Sequence, residues 1–489
     1  MGNIQMVTAD PKALLRRLLQ EPAETQWLEF KRNNCNPEDI GCCVSACANA
    51  AILAERDRAY IVFGIENGTK TRVGTTVRLH SVKKGGENLA NWLSHIITPR
   101  LMMEFLDFED DDKSFAILVV EPTYDRPVRF GDVEYIRIGE NVKKLKDFQE
   151  YERTLWLATG KRRFESAIAL PHQTAAQVLE KLNSDVYYTM SEQPKPANSD
   201  EIIRKMSTAG FIKEDMEGTF DITNLGAIVL ATDIGHFPSI TSKSVRVIKY
   251  AGKDKQKSEK EIEGRKGYAV GFSGLMQFIK SRLPTEETYV EGVRKNIPTY
   301  PETAIREIIA NALIHQDFTI HGVGPVVEIY DDRIEVTNPG NSLVAIDRII
   351  DERRSRNEKL AGTMRLLGLC EERGGGIDKA IIQIEEMFLP APWFFLSENS
   401  MRVVLFGPRK FNELSKADKT WACFCHCVVR FNRHDYMSNT TLRERFSLPE
   451  AEYQAVSAVI ASARKDGRIV RADEKQGNKY AKYVPYWAR

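Results

Sequence analysis

The spacing of apolar and polar positions divides the chain into regions with different secondary structure. In the first region, IGCCVSACANAAILAERDRA carries Ile40, Val44, Cys47 and Ala48 at helical spacing. The short apolar runs AYIVFG, FAILVVEP and VEYIRIG predict strands, and ENLANWLSHIIT predicts a helix between the first two of them. We therefore expect residues 1–155 to form one α/β or α+β domain with a mixed sheet.

Shorter helices dominate the next region. The segments YERTLWLATGKRRFESAIA, TAAQVLEKLN and SDEIIRKMSTAGFI have helical patterns, and we interpret residues 156–240 as a helical, winged-helix-like connector. The run KDKQKSEKEIEGRKG at 253–267 carries charges of both signs without apolar periodicity, which predicts an exposed loop. The acidic run FEDDDKS at 108–114 predicts a solvated hairpin tip.

The last two regions combine helices with strands. Residues 241–410 predict a third domain with the helices FSGLMQFIKSRL and ETAIREIIANALIHQDF, the strands VVEIYD and RIEVTN, and glycine-rich turns. Residues 411–489 predict three helices and a two-stranded ribbon, with a capping box from Thr441 to Glu444 and a helix stop at Gly467. That order is typical of a winged helix-turn-helix, in which a helix enters a groove and the wing touches the backbone.

Length and composition favour a soluble protein of several domains. The chain has 489 residues, 42% of them hydrophobic, enough for three or four domains. It has no apolar run of transmembrane length and no signal-peptide pattern, so we expect a cytoplasmic protein that does not bind membranes. The eight cysteines lie in apolar helical contexts, and we expect them to be reduced.

Positive charge is concentrated at the C-terminus. The net charge is +1, which excludes a basic field over the whole molecule, but the segment from Phe411 carries 14 Lys+Arg against 9 Asp+Glu. The cations at the last helix and the wing would contact nucleic-acid phosphates. They are Arg464, Lys465, Arg468, Arg471, Lys475, Lys479 and Lys482. The alternative is a winged helix used for dimerisation, with solvated lysines.

The run Cys423-Phe-Cys425-His426-Cys427 has the residue types of a zinc site. On a helix, however, Cys423 and Cys427 share a face while Cys425 points elsewhere, and no second ligand pair stands at finger distance. We therefore expect buried helix cysteines.

The segment EIIANALIHQDF carries the strongest single motif. Glu307, Asn311 and His315 are spaced four apart on one helical face, opposite a face rich in isoleucine. A carboxylate and a carboxamide in this register suit a divalent metal with a bound triphosphate, because Asn offers an oxygen to Mg²⁺ and Glu can orient a water.

This helix, the strands after it and a later glycine-rich turn resemble the GHKL ATPase superfamily. The resemblance implies ATP and Mg²⁺ as cofactors, with Glu307 as the catalytic or metal-orienting acid, Asn311 as the metal ligand, and His315 within the same box. It places Asn338 and Gly340 in the turn that reads the adenine amino group, where the family keeps Asp. The resemblance also implies a glycine-rich lid made by Arg373, Gly374, Gly375 and Gly376.

Whether ATP is hydrolysed stays open, because the family's adenine-reading Asp is replaced here by Asn338. The alternative reading of this domain is a degenerate GHKL fold that serves as a scaffold or a dimer interface.

Near the N-terminus, ETQWLEFK at 24–31 sets two acids and a lysine beside apolar residues. On a strand, Leu28 and Phe30 face one side, whereas Trp27, Glu29 and Lys31 face the other. Such a face suits phosphodiester binding or Mg²⁺- or Mn²⁺-dependent hydrolysis. The alternative is an edge-strand ion pair.

EFK, the Ala-rich helix, FGIENG and YIRIG together resemble the Schlafen-type AlbA domain, which is regarded as nucleic-acid-binding and includes endoribonucleases with three acids. The resemblance places the first two acids on Glu24 and Glu29. The third falls beside Glu66, where relatives keep an Asp at the position of Asn67. Backbone binding is thus expected, and cleavage depends on whether Glu66 replaces that Asp.

The order of these regions resembles ATP-binding regulators or defence proteins with a Schlafen-type AlbA α+β domain, a winged-helix-like connector, a GHKL-like α/β sandwich and a C-terminal winged helix-turn-helix. We expect an ATP-binding protein that binds DNA or RNA, with a homo-oligomer plausible by resemblance. The alternatives are a metal-dependent nuclease and a nucleotide-free interaction scaffold.

Overall fold

The structure is a computed structural model in which the chain forms two compact units. One unit contains Met1–Ala175 and Ile212–Ile222, and the other contains Ala176–Phe211 and Thr223–Arg489. The described residues are 8, 10–21, 25–139, 141–159, 164–290, 293–352, 354–371, 375–473, 475, 477 and 480–488.

The N-terminal unit combines four helices of the described residues with small sheets. The helices are α1 (Pro11–Leu18), α2 (Pro37–Leu53), α3 (Leu89–Ile96) and α4 (Gln149–Ala158). The strands are β1 (Leu28–Lys31), β2 (Ala59–Phe63), β3 (Lys83–Lys84), β4 (Glu87–Asn88), β5 (Ile97–Thr98), β6 (Met102–Asp110), β7 (Lys113–Glu121), β8 (Arg129–Phe130), β9 (Val133–Ile138), β10 (Asn141–Lys144), β11 (Ile168–Gln173), β12 (Ile212–Glu214) and β13 (Phe220–Thr223).

The main sheet of this unit has the order β1-β2-β7-β6, with β1 parallel to β2 and the other pairs antiparallel. Every residue of β2 is buried, which explains why AYIVF reads as a continuous apolar run. Helix α2 begins at the Asn36 cap and Pro37, is buried along nearly its whole length, and packs against β9 of the second sheet, β10-β9-β8-β5. The third sheet has the order β11-β13-β12.

The C-terminal unit is built around a six-stranded sheet of order β15-β14-β18-β19-β21-β20. Its strands are β14 (Arg246–Tyr250), β15 (Ser258–Glu263), β18 (Val326–Ile329), β19 (Arg333–Pro339), β20 (Trp393–Leu396) and β21 (Ser400–Phe406). A separate hairpin is formed by β16 (Thr285–Val290) and β17 (Val293–Pro298). Only the β14–β18 pair of the large sheet is parallel.

The C-terminal unit contains eleven α-helices among the described residues. They are α5 (Ala175–Lys181), α6 (Ser184–Met190), α7 (Ser199–Thr208), α8 (Asn224–Leu230), α9 (Tyr268–Lys280), α10 (Glu302–His315), α11 (Glu358–Leu366), α12 (Gly376–Glu386), α13 (Lys416–Asn432), α14 (Asn439–Arg445) and α15 (Tyr453–Lys465). Helix α15 is followed by β22 (Ile469–Arg471), which pairs antiparallel with β23 (Tyr483–Pro485). The helices and the ribbon predicted at the C-terminus are therefore present, and their use as a DNA-binding winged helix stays a prediction.

Two local predictions were wrong. Part of the predicted loop at 253–267 is β15, an edge strand whose side chains are nearly all exposed. Because neither of its faces is buried, it shows no apolar alternation. Helix α14 is capped by Ser438, whose hydroxyl accepts from Thr441 N at 3.2 Å, and its capping box therefore runs from Ser438 to Thr441 rather than from Thr441 to Glu444.

Two other local predictions are confirmed. Asp111 and Asp112 form the tip of the β6–β7 hairpin with positive φ. Gly467 follows α15 with φ +70°, a conformation that favours glycine. No helix of the described residues is long and apolar enough to cross a membrane.

Candidate nucleotide site and nucleic-acid interfaces

Helix α10 carries the first group of candidate residues. It starts directly after Pro301 and is capped by Gln316, whose side-chain amide donates to Leu313 O at 2.9 Å and to the Tyr268 hydroxyl at 2.6 Å. Its apolar residues are buried, as the predicted face requires. The helix is thus anchored at its C-terminal end, and this fixes the positions of its polar side chains beside the cavity.

A cavity of about 360 Å³ opens beside α10, a volume within the usual range of small-molecule sites. It brings together five of the sequence-predicted residues from α10, the end of β19 and the start of α12. They are Glu307, Asn311, His315, Asn338 and Gly376. The roles assigned to them stay predictions.

Glu307 links α10 to α12. Its side chain is only 2% exposed, and Arg306 Nη2 donates to its Oε1 at 2.8 Å. A Cβ on Gly376 would lie 2.4 Å from Glu307 Oε2, so any larger residue at this position would displace the carboxylate. Gly376 therefore lets the N-terminus of α12 approach the candidate acid closely, whereas Arg373 and Gly374 lie outside the described residues.

The turn after β19 needs glycine for two reasons. Gly340 has φ +95°, and a Cβ there would lie 2.5 Å from Asp317 Cβ and 2.7 Å from Arg356 Nη1. Gly340 does not line the cavity itself, whereas Asn338 lines it and is 5% exposed. Gly375 is the N-cap of α12.

His315 is a neutral member of the cavity wall. Burial, together with the positive charge of Arg356, lowers the pKa of His315 to about 4. A neutral imidazole can donate or accept a hydrogen bond, but it supplies no positive charge for phosphate near pH 7.

The sequence analysis missed Ser355 and Arg356, which also line this cavity. They lie in DERRSRNEK, a charged run without periodicity just before α11. The available signal was the clustering of three arginines within four residues, a composition that favours anion binding.

In the N-terminal unit, the structure contradicts the predicted open face of β1. Trp27 is buried in the core, and the side chains of Glu29 and Lys31 are 12% and 13% exposed. Lys31 Nζ lies 3.2 Å from Glu29 Oε1, and Arg137 Nη1 from β9 lies 2.7 Å from Oε2. Both oxygens of Glu29 are therefore held by cations, and this face is an enclosed ion-pair cluster rather than a surface for a phosphate backbone.

Helix α2 closes this cluster. Burial raises the pKa of Cys43 to about 11, against the influence of Lys31. Burial lowers the pKa of Lys31, but the nearby Cys43 and Glu29 outweigh it, so that the pKa of Lys31 is raised overall. Lys31 therefore stays charged and supports the ion pair.

The structure does not bring Glu66 to Glu29. Glu29 pairs in register with Ile61, whereas Glu66 lies past the end of β2, is 42% exposed and faces Arg32 at 3.7 Å. Glu24 lies outside the described residues. Within the part of the chain that the structure describes, neither Glu29 nor Glu66 belongs to a group of three potential metal ligands.

The group of that kind found among the described residues is His172, Asp215 and Asp221, near β11–β13. His172 Nδ1 lies 3.0 Å from Asp215 Oδ2, its backbone N–H donates to Asp221 Oδ1 at 2.9 Å, and Arg58 Nη2 lies 3.1 Å from its Nε2. These contacts form a network of hydrogen bonds and ion pairs that also includes the Arg58 guanidinium.

The C-terminal cations differ in availability. Arg464, Lys465, Lys475 and Lys482 are exposed, and Lys482 Nζ lies 5.1 Å from the centre of the Tyr436 ring. The Arg468 guanidinium instead stacks on Trp421 and Phe424, at 5.2 and 5.5 Å from the ring centres.

Arg468 therefore packs on the core instead of presenting a free cation to phosphate. Arg471 is partly buried, and Lys479 lies outside the described residues.

The cysteines of α13 are buried, as predicted. Cys423, Cys425 and Cys427 have no exposed surface, and burial raises the pKa of each thiol. His426 lies beside Glu385 of α12, with 2.8 Å between Nδ1 and Oε2.

Comparison with protein families gives two matches. Residues 24–146 match the family model "Schlafen, AlbA_2", and residues 322–405 match HATPase_c_4, described as "Putative ATP-dependent DNA helicase recG C-terminal". The chain combines a Schlafen AlbA_2 domain with an ATPase-like domain. These two domains suggest an ATP-dependent function related to nucleic acids.

The two matches cover different shares of the candidate residues. The AlbA_2 match includes Glu29, Lys31 and Glu66, whereas the ATPase-like match begins after α10 and ends with β21. Among solved structures, the DIP2311 protein from Corynebacterium diphtheriae aligns with 97% of this chain and 96% of its own, at 16% identity and a TM-score of 0.41. That similarity is too low to support an argument about fold or function. A search of curated proteins found no match.

Proposed function

We propose that the protein binds ATP with Mg²⁺ in the cavity beside α10, and that bound nucleotide changes how the protein holds DNA or RNA, in a regulatory or defence role. The observation that carries this proposal is the position of α12. Its first residue, Gly376, packs against Glu307 in the cavity, and Glu385 near its other end pairs with residues of α13 and α14.

The far end of α12 is held by a buried charge cluster. Glu385 lies 2.8 Å from His426 of α13 and 3.1 Å from Arg445 Nε of α14. Burial raises the pKa of Glu385, but the contacts with His426 and Arg445 outweigh it and lower the pKa overall. The ionised carboxylate therefore ties both C-terminal helices to α12.

A rigid helix can transmit a displacement between these ends. From Gly376 to Glu385 the helix rises about 14 Å at 1.5 Å per residue. Closely packed helices move as rigid bodies. A displacement of the α12 N-terminus on nucleotide binding would therefore also move its contacts with His426 and Arg445.

A second contact joins the cavity to the C-terminus. Ile349 and Ile350 line the cavity, and the two residues before them contact the end of the chain. The Tyr486 hydroxyl donates to Asp347, and the Arg348 guanidinium lies 4.5 Å from the centre of the Trp487 ring. Nucleotide binding at the cavity wall therefore has two structural routes to the C-terminal helices.

The exposed cations around the end of α15 and the ribbon are the proposed phosphate contacts of this region. The AlbA_2 domain is proposed as a second nucleic-acid module. The nuclease alternative is not favoured by geometry, because Glu29 is occupied by Lys31 and Arg137.

Two measurements test the proposal. A thermal-shift assay with ATP and Mg²⁺ should raise the melting temperature, because a ligand that binds only the folded state stabilises it. Binding of labelled DNA and RNA over a salt series should weaken as salt rises, and the variant Lys465→Gln/Lys475→Gln should have a smaller salt slope. An unchanged melting temperature would favour the nucleotide-free scaffold, and an unchanged slope would move the nucleic-acid contact elsewhere.

A further inference from the structure

Two buried polar atoms in the wall of the nucleotide cavity have no hydrogen-bond partner. They are Ser355 Oγ and Arg356 Nη1, on consecutive residues just before α11. A buried polar atom without a partner costs free energy, and the cost is higher for a charged group. Such atoms in a ligand cavity indicate a group that they would bind.

The segment that carries these atoms is firmly placed. The side-chain amide of Asn357, the next residue, donates to Ile314 O at 2.7 Å and to Gln316 O at 2.8 Å. These bonds fasten the segment to the C-terminal end of α10. The unpartnered atoms therefore belong to an ordered part of the cavity wall.

The contacts of Arg356 leave its guanidinium available. Its ion pair with Asp317 is long, with 3.5 Å between Nη1 and Oδ2, and its Nη2 donates to Asn341 O at 3.4 Å. Gly340 leaves space for this side chain, since a Cβ there would lie 2.7 Å from Nη1. A guanidinium held in this way suits phosphate, whose oxygens accept two parallel hydrogen bonds.

Three of the acids in the cavity wall already have cationic partners other than Arg356. Glu307 pairs with Arg306 at 2.8 Å, Glu352 with Arg348 at 3.0 Å, and Glu371 with Lys379 at 2.5 Å.

We propose that Ser355 and Arg356 bind the phosphate groups of a nucleoside di- or triphosphate in this cavity. The inference rests on the proposed nucleotide function and assigns its phosphate contacts to a serine and an arginine ahead of α11, in addition to the glycines before α12. It requires the cavity to prefer ATP and ADP over adenosine, and to lose that preference when Arg356 is replaced.

Calorimetric titration of the full-length protein with adenosine, AMP, ADP and ATP, each with Mg²⁺, tests the assignment. Arg356→Gln should weaken ATP and ADP binding about 10-fold to 100-fold, the range for a lost charged hydrogen bond, and leave adenosine binding unchanged. Ser355→Ala should weaken ATP binding about 3-fold to 10-fold. Arg356→Lys should be intermediate, because it keeps the charge and loses the planar fork.

Arg402→Gln is the matched control. Arg402 lies between the cavity-lining residues Met401 and Val403 of β21, so its side chain is on the other face of the sheet, where it pairs with Glu335 at 3.1 Å. It should leave ATP binding unchanged. Melting temperatures of all variants identify any that fail to fold. If Arg356→Gln fails to fold, Ser355→Ala serves as the test.

Binding of inorganic tripolyphosphate distinguishes a failure of this inference from a failure of the proposed function. If the wild-type protein binds ATP and Arg356→Gln keeps the wild-type preference for ATP over adenosine, the phosphate assignment is wrong and nucleotide binding stands. If the wild-type protein binds tripolyphosphate through Arg356 but no adenine compound, the anion site stands and the ATP function is wrong. Binding of none of these probes would overturn both.

Discussion

His426 Nδ1 lies 2.8 Å from Glu385 Oε2, and this contact joins α13 to α12. Arg445 of α14 completes the cluster from the other side. Because the opposite end of α12 packs on Glu307, a single substitution in this cluster would interrupt one of the two proposed routes between the cavity and the C-terminal helices.

Glu385→Gln should weaken the coupling between nucleotide binding and nucleic-acid binding. The substitution leaves His426 and Arg445 without a carboxylate, so we expect a loss of about 3 kcal/mol in the free energy of unfolding. ATP binding should persist, and the effect of ATP on nucleic-acid affinity should decrease, because only the contacts of Asp347 and Arg348 with Tyr486 and Trp487 then connect the cavity to this region. The exposed neighbour Glu386→Gln is the control and should change neither quantity. Equal ATP responses in the wild type and Glu385→Gln would contradict the role of this cluster.

Gly376→Ala should disturb the cavity without unfolding the chain. The new Cβ would fall 2.4 Å from Glu307 Oε2, and the carboxylate is the part that can move. We expect Mg²⁺-dependent ATP binding to weaken about 10-fold, roughly the worth of one displaced charged contact. Gly362→Ala in α11 is the control, because its Cβ would meet only Arg365 at 4.0 Å. Calorimetry on both variants decides this, and equal ATP affinities would contradict it.

Glu29 should be a structural residue. Glu29→Gln breaks the enclosed contacts with Lys31 and Arg137, and we expect it to lower the free energy of unfolding by about 3 kcal/mol in chemical denaturation. Glu66→Gln removes an exposed pair with Arg32 and should cost less than about 1 kcal/mol. A parallel incubation with RNA and DNA in Mn²⁺ checks the nuclease alternative. Cleavage by the wild type that a folded, stable Glu29→Gln variant lacks would reverse the assignment.

The stability of the N-terminal unit should depend on Asp221. Burial raises the pKa of Asp221 to about 6, above its unfolded value near 4. Its contribution to stability is therefore fully present below about pH 4 and is lost as the pH rises through about 6, a change of about 2 to 3 kcal/mol. Asp221→Asn should flatten the profile of unfolding free energy over this window.

The contribution of Asp215 to stability should change with pH in the opposite direction. Burial raises the pKa of Asp215, but the hydrogen bonds from His172 and Thr219 outweigh it and lower the pKa overall. The carboxylate of Asp215 therefore stabilises the fold above its unfolded pKa near 4, and that contribution is lost as the pH falls. The variant Asp215→Asn should lose stability at pH 7, measured by urea unfolding. A profile flattened between about pH 4 and 6 in Asp215→Asn and not in Asp221→Asn would contradict both assignments.

Strong periodicity made much of the fold predictable from the sequence. Helix α10 and the strands β18 and β19 carry regularly spaced apolar residues, and the structure buries most of them in the core. Strand β15 was not predicted, because both faces of this edge strand are exposed and its sequence therefore shows no apolar alternation.

The site was only partly predictable. Alternation along β1 correctly put Glu29 and Lys31 on one face, but it could not show that α2 and Arg137 cover that face. Ser355 and Arg356 lie in a charged segment without periodicity, and their place in the cavity depends on the hydrogen bonds of Asn357 to the end of α10. Tertiary contacts of this kind leave no local signal in a single sequence.

Fluorescence anisotropy of labelled DNA and RNA, titrated with the full-length protein at fixed salt with and without ATP and Mg²⁺, measures the coupling itself. We expect ATP to change the affinity for at least one of the two nucleic acids by about 5-fold to 150-fold, with the same factor in the reciprocal titration of ATP. Identical affinities with and without ATP, in a protein that calorimetry shows to bind ATP, would contradict the coupling of the cavity to nucleic-acid binding.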